Sequence, residues 1–192
     1  MKNTRQADQR SHVRTHTRSR RSAFLLSPTL ALSLLSIAGC SNSTAYELPH
    51  EICGRQIDPV ALQPLLPSGQ QFEAVAGNDD HVQSMCRISV DNDTSLILQE
   101  HRRQNRFDVW DFVVDDDPDS AKNPKKAAVG DDTVTTDDWL ISMNACTGYG
   151  KQDYYILDVI LGVKTDEPMH QELEDFAKSY LPEGMKKAGC TL

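Results

Sequence analysis

Most of the signatures that name an activity are missing from this chain. There is no GxSxG elbow, no P-loop and no GxGxxG turn, so nothing marks a hydrolase nucleophile, a phosphate cradle or a dinucleotide site. No pair of histidines forms an HExxH, and the five cysteines never form a CxxC, which argues against a zincin centre, a zinc knuckle and a thioredoxin-like redox pair. No internal repeat is visible. Basic residues are scarce over most of the length: from Cys40 onward 13 stand against 27 acids, a net charge of −14. A body that acidic repels nucleic acid and anionic lipid headgroups, so a nucleic-acid partner is not expected.

What precedes Cys40 has the opposite character. Lys2, Arg5, Arg10, Arg14, Arg18, Arg20 and Arg21 face a single acid, Asp8, so the overall −8 divides into a +6 head and a −14 body. Residues 23–39, AFLLSPTLALSLLSIAG, follow with no charge and many leucines. The run is shorter than the roughly 20 residues a spanning helix needs, and Pro28 and several serines weaken it further. Positive charge, then an apolar run, then small residues is the order of an export signal.

The junction is more specific than that. Ile37-Ala38-Gly39-Cys40 resembles the lipobox of bacterial lipoproteins, with an aliphatic residue, two small residues and the cysteine that receives the lipid. The resemblance implies cleavage between Gly39 and Cys40, a diacylglyceryl thioether on Cys40 and palmitoylation of the new N-terminus. Two or three acyl chains suffice for stable anchoring where one is marginal. Ser19-Arg20-Arg21-Ser22-Ala23-Phe24-Leu25 looks like a twin-arginine export signal around Arg20 and Arg21. Its aromatic comes three residues after the second arginine instead of two, so an ordinary basic leader stays open as the alternative. Ser41 to Ala45 is polar and patternless, a tether. The expected organisation is therefore a signal peptide over 1–39, a lipidated cysteine and tether over 40–50, and one domain over 51–192.

With Cys40 assigned to lipid, four cysteines remain: Cys53, Cys86, Cys146 and Cys190. An even number in an exported domain reads as disulfides, and four cysteines allow three connectivities. Spacing does not choose among them. We expect Cys53–Cys86 and Cys146–Cys190, each joining a predicted helical segment to a predicted strand.

Asp58-Pro59 predicts a short helix start, with a side-chain cap and proline at the first helical position, ended by Pro67-Ser68-Gly69. Residues 72–76 read as a strand. Residues 85–90 and 95–100 alternate around the turn-rich Asp91-Asn92-Asp93-Thr94 and predict a hairpin. Residues 107–114 read as a further strand and 115–127 as an exposed charged loop. Strands are expected over 139–146 and 153–163, the second apolar on both faces and so central, with Thr147 to Gly150 turning between them. Leu173, Phe176, Ala177, Tyr180 and Leu181 form one helical stripe, which Pro182 and Gly184 are expected to end before a last turn to Cys190. This order predicts an α+β fold, an antiparallel β-sheet packed against a short N-terminal helix and a C-terminal helix.

Lipobox, polar tether, Cys53 before a Pro/Leu-rich helix, Cys86 in a strand, hairpins and a terminal helix together resemble small actinobacterial (Streptomyces-type) cell-envelope lipoproteins carrying domains of unknown function. That resemblance implies a helix-backed sheet similar to a PsbP/Mog1-like sandwich, in a binding or accessory module. It brings no catalytic residues.

The acidic clusters Asp115-Asp116-Asp117, Asp131-Asp132 and Asp137-Asp138 offer oxygens for calcium, but Asp91-Asn92-Asp93 lacks the glycine and distant glutamate of an EF-hand, so a solvated acidic surface is the expectation and no metal is expected. His81, His101 and His170 are scattered. His170 and Glu174 share a helix face. His101-Arg102-Arg103 with Arg106 is a basic cluster in an acidic domain, open to an anionic ligand or to neighbouring acids. The sequence thus points to an extracytoplasmic lipoprotein on the cell membrane, held to the bilayer through acylated Cys40. It reads as a non-enzymatic module for an envelope protein or small ligand, with no cofactor and no catalytic residue assigned. An envelope hydrolase with a dispersed catalytic set and a structural surface protein are the alternatives.

Overall fold

The computed structural model describes residues 45–79, 83–116, 121–148, 151–165 and 167–190. The export signal with Arg20 and Arg21, the Gly39–Cys40 junction, the tether through Thr44, His81, Asp117 and the turn residues 149–150 lie outside the described residues. The described residues belong to one unit, Cys40–Leu192.

The chain enters through a miniature hairpin, β1 (Glu51–Ile52) and β2 (Arg55–Gln56), turned by Cys53 and Gly54 at φ 48° and 74°. A two-residue turn of this hand demands positive φ at both positions, which glycine supplies freely. Cys53 therefore sits on a turn and not in a helical segment. Asp58 then caps α1 (Pro59–Leu62) by accepting from Val60 N at 2.9 Å. Pro64 is accommodated because the chain tightens there into a 3-10 turn, Gln63–Leu65.

Seven antiparallel strands form the main sheet. They are β3 (Phe72–Asp79), β4 (Gln83–Val90), β5 (Asp93–Arg103), β6 (Lys125–Lys126), β7 (Asp132–Thr135), β8 (Trp139–Gly148) and β9 (Lys151–Leu161), in the spatial order β3-β4-β5-β9-β8-β7-β6. β9 is central, as its apolar character predicts. The β4–β5 hairpin turns on Asp91 and Asn92 at φ 53° and 72°, and Asp91 Oδ1 accepts from Gln70 N and Gln71 N. The mixed α+β architecture is that expected from the order of elements.

One face of the sheet packs on α3 (His170–Lys187) and α1. Its core holds Ile88, Leu96, Leu98, Leu157 and Val159 from the strands against Leu62, Leu173, Phe176 and Tyr180 from the helices. Two disulfides close this layer: Cys53–Cys86 ties the small hairpin to β4, and Cys146–Cys190 ties β8 to the chain after α3. These are the two pairs chosen from the sequence.

Other expectations fail as well. Residues 107–114 are not a strand: α2 (Val109–Asp111) runs into a π-helical turn, Phe112–Asp116. Asp108 caps it, accepting from Trp110 N at 2.9 Å and Asp111 N at 3.1 Å. Val109 and Val113, four residues apart, are both fully buried on the sheet's second face against Val134, Ile141, Met143 and Ile156. β-branched valines suggest a strand, but the contact surface selects the i, i+4 spacing. Nor does Pro182 end the last helix, which continues to Lys187. Proline removes one i→i−4 bond there. Burial of Tyr180, Leu181 and Met185 on both sides of the lost bond holds the turn together. At Gly184 the helix lies close against the sheet: a Cβ there would lie 2.2 Å from Tyr155 Oη.

The segment 115–127 is not wholly an exposed loop either, since Lys125–Lys126 pair with β7, and Ala121 and Ala127 are half-buried.

Candidate functional site

Strand alternation sends Gln99, His101 and Arg103 of β5 to the second face, together with Ile156, Asp158 and Ile160 of β9 and Trp139 and Ile141 of β8. The α2 segment covers only part of that face. Phe107 and Phe112, from the segment, stand over the strands, and between them and the sheet lies an open pocket of about 340 Å³ lined by these ten residues. That volume falls at the small end of ligand sites, which run from roughly 300 to 1,000 Å³.

Asp158 occupies the middle of the floor, with Gln99 beside it on β5 and Ile141 beside it on β8. Its side chain is 13% exposed. Trp139 Nε1 donates to Asp158 Oδ1 at 3.2 Å, while His101 Nε2 lies 3.8 Å from Oδ2, beyond hydrogen-bond reach. Burial among isoleucines raises the Asp158 carboxyl to a pKa of about 6, against the opposing pull of the Trp139 hydrogen bond and the Arg103 charge. Burial also lowers the His101 pKa, helped by Arg103 and opposed by Glu100. At neutral pH the floor therefore carries one anionic carboxylate beside a neutral imidazole. The aromatic wall is continuous: Phe107 meets Phe112 edge-on at 5.2 Å between centroids, and Phe112 meets Trp139 at 6.3 Å. At the mouth the exposed Arg103 guanidinium stacks over Phe107, 5.5 Å from its centroid.

The basic cluster read from the sequence is divided by that same alternation. His101 and Arg103 line the pocket, whereas Arg102 turns to the helix side, donating to Asp153 Oδ2 at 2.8 Å and Ala188 O at 3.1 Å. Arg106 pairs with Asp132 at 3.5 Å. His170 faces Asp137 at 3.4 Å and Glu174 faces Lys178 at 3.5 Å, so each of the two is paired away from the other. Several acids of the clusters tie the chain together. Asp131 Oδ2 accepts from Ala145 N at 2.7 Å, and both Asp137 oxygens accept from Asn123 Nδ2. Among the described residues no group of three or more His, Cys, Asp and Glu is placed to hold a metal.

On the other face, Glu100 is buried under α3 with three partners. Arg55 Nη2 lies 2.6 Å from Glu100 Oε2, Tyr155 Oη donates to Oε1 at 2.7 Å, and Ser84 Oγ also donates to Oε2. Arg55 and Glu100 are each under 10% exposed and Tyr155 is fully buried. The Tyr155 phenol is pushed well above its usual pKa, first by desolvation and then by the Glu100 charge. This buried, hydrogen-bonded ion pair without access to solvent ties the framework together.

Sequence reasoning missed Asp158, Trp139 and Gln99. One signal was available for Asp158. It is the lone charge between Tyr154 and Leu161, an acid in the most apolar strand of the chain. No protein-family model matches the chain, and no curated protein or solved structure matches it either.

Proposed function

We propose that this chain is an exported lipoprotein, anchored through acylated Cys40 to the extracytoplasmic face of a cell membrane, whose disulfide-bonded domain binds a small ligand without transforming it. The observation that carries the binding role is the pocket over Asp158. It has an apolar floor, an aromatic wall and a few convergent polar groups, the composition of a ligand site. Its described lining residues include no Ser, Thr, Cys, Lys or Tyr, which leaves the Asp158 carboxylate and the His101 imidazole as the groups able to attack a substrate. Two disulfides support an oxidising compartment. Among the described residues no helix is long and apolar enough to cross a membrane. The sequence feature that supports anchoring is the Ile37-Ala38-Gly39-Cys40 junction.

An envelope hydrolase is the second reading, and the observation on its side is His101 beside Asp158, an imidazole next to a carboxylate.

Anchoring is tested by labelling bacteria that express the full chain with radioactive palmitate. Label on the wild type and none on Cys40→Ser supports it; equal label on both, or none on either, sinks it. Binding is tested by titrating small amphiphiles while following the fluorescence of Trp110 and Trp139, the chain's two tryptophans. A saturable change that Ile160→Phe abolishes by narrowing the floor supports the pocket. A change indifferent to that substitution refutes it.

A further inference from the structure

We propose that the pocket selects a small organic cation, an ammonium group on a compact apolar body, with its nitrogen against Asp158 and its body on Ile156, Ile160 and the aromatic wall. This rests on the ligand-binding reading above and names the chemistry of the ligand.

Four observations carry it. Asp158 is a largely buried carboxylate set into an isoleucine floor, with its Oδ1 held by Trp139 and His101 too far from Oδ2 to hydrogen-bond. A buried carboxylate in such surroundings gains most from a partner that brings both positive charge and N–H donors. The His101 imidazole does not supply that charge, since its pKa lies below the ordinary value.

The wall is aromatic, and ring faces attract cations. Two such contacts already form on this side of the sheet: Arg103 over Phe107, and Lys126 over Trp110 at 6.0 Å. The chain from Cys40 onward carries −14, a field that draws cations in and turns anions away. The opposing group is Arg103, a like charge at the mouth. It is exposed and stacked on Phe107, so water screens it, whereas Asp158 acts at the bottom of the pocket. An anionic ligand reaching the floor meets Asp158 itself. A neutral alcohol can donate one hydrogen bond but brings no charge.

The test uses the full-length chain in micelles of a zwitterionic detergent at pH 7.5, titrated with three probes of matched shape: cyclohexylmethylammonium, cyclohexylmethanol and cyclohexanecarboxylate. Tryptophan fluorescence reads the binding. The ammonium is expected to bind at least tenfold more tightly than the alcohol, with the carboxylate weakest. Asp158→Asn should lose that tenfold for the ammonium and leave the alcohol unchanged. Arg103→Ala, at an exposed position, should tighten ammonium binding severalfold. If the alcohol or the carboxylate binds as tightly as the ammonium, the cation inference fails while the ligand-binding reading stands. Ammonium binding that Arg103→Ala weakens or leaves alone also overturns the inference. If none of the three probes gives a saturable change, both readings fail together.

Discussion

Replacing Asp158 with Asn keeps the shape of the side chain and an oxygen to accept from Trp139, but removes the charge from the pocket floor. The wild-type carboxyl titrates at about 6 in the folded chain and near its ordinary 3.8 when unfolded. Between those values the folded state holds a proton that the unfolded state has released. Stability therefore falls as pH rises through this window. A difference of about two units corresponds to about 3 kcal/mol at most, taking 1.36 kcal/mol per unit. Asp158→Asn does not titrate. It should match the wild type at pH 4, where the buried carboxyl is protonated, and exceed it progressively up to pH 7. For a domain of this size about 3 kcal/mol is roughly 6–12 °C in melting temperature. The assay is denaturant and thermal unfolding of both proteins followed by circular dichroism at half-unit steps from pH 4 to 8, with the disulfides intact. A gap that stays constant across that range refutes the reasoning. So does a wild type that gains on the variant as pH rises, because the carboxylate would then be stabilised in the fold. The expected result fits a binding site kept at some cost to stability.

Other perturbations probe the framework. Removing the second disulfide with Cys146→Ala and Cys190→Ala frees a span of 44 residues and should lower stability by about 4 kcal/mol, read by denaturant unfolding. Arg55→Met leaves Glu100 buried without its cation and should cost about 3–5 kcal/mol, while Asp158-dependent ligand binding on the opposite face keeps its affinity in whatever fraction stays folded. Asp108→Ala removes the cap on α2 and should cost about 1 kcal/mol, read by denaturant unfolding. In an NMR titration the His101 ring should show a midpoint below 6.5, and a midpoint above it would mean that Asp158 pairs with the imidazolium after all.

How much of this was legible depended on how local the deciding physics is. Asp58 capping α1, the Asp91-Asn92 turn and the apolar run of β9 each act within a few residues, and pattern reading found them. The stretch 107–114 misled it because its β-branched valines favour a strand in isolation. Val109 and Val113 become helix neighbours only when the face of Val134, Ile141 and Ile156 is present to receive them. Pro182 misled it for a related reason: a proline breaks an isolated helix, yet burial of Tyr180 and Met185 on either side outweighs one lost bond.

The sequence by itself determined most of the long strands and the terminal helix, the cysteines to be paired and the division of charge at Cys40. These follow from side-chain period, count and sign along the chain. Only the tertiary structure decided that Asp158 lies in a pocket walled by Phe107, Phe112 and Trp139, and that Glu100 is buried with Arg55. Those relations join residues from strands and segments distant in sequence, here β2, β5, β8, β9 and the α2 segment. Register and packing set them, and neither is written in any single stretch of the chain.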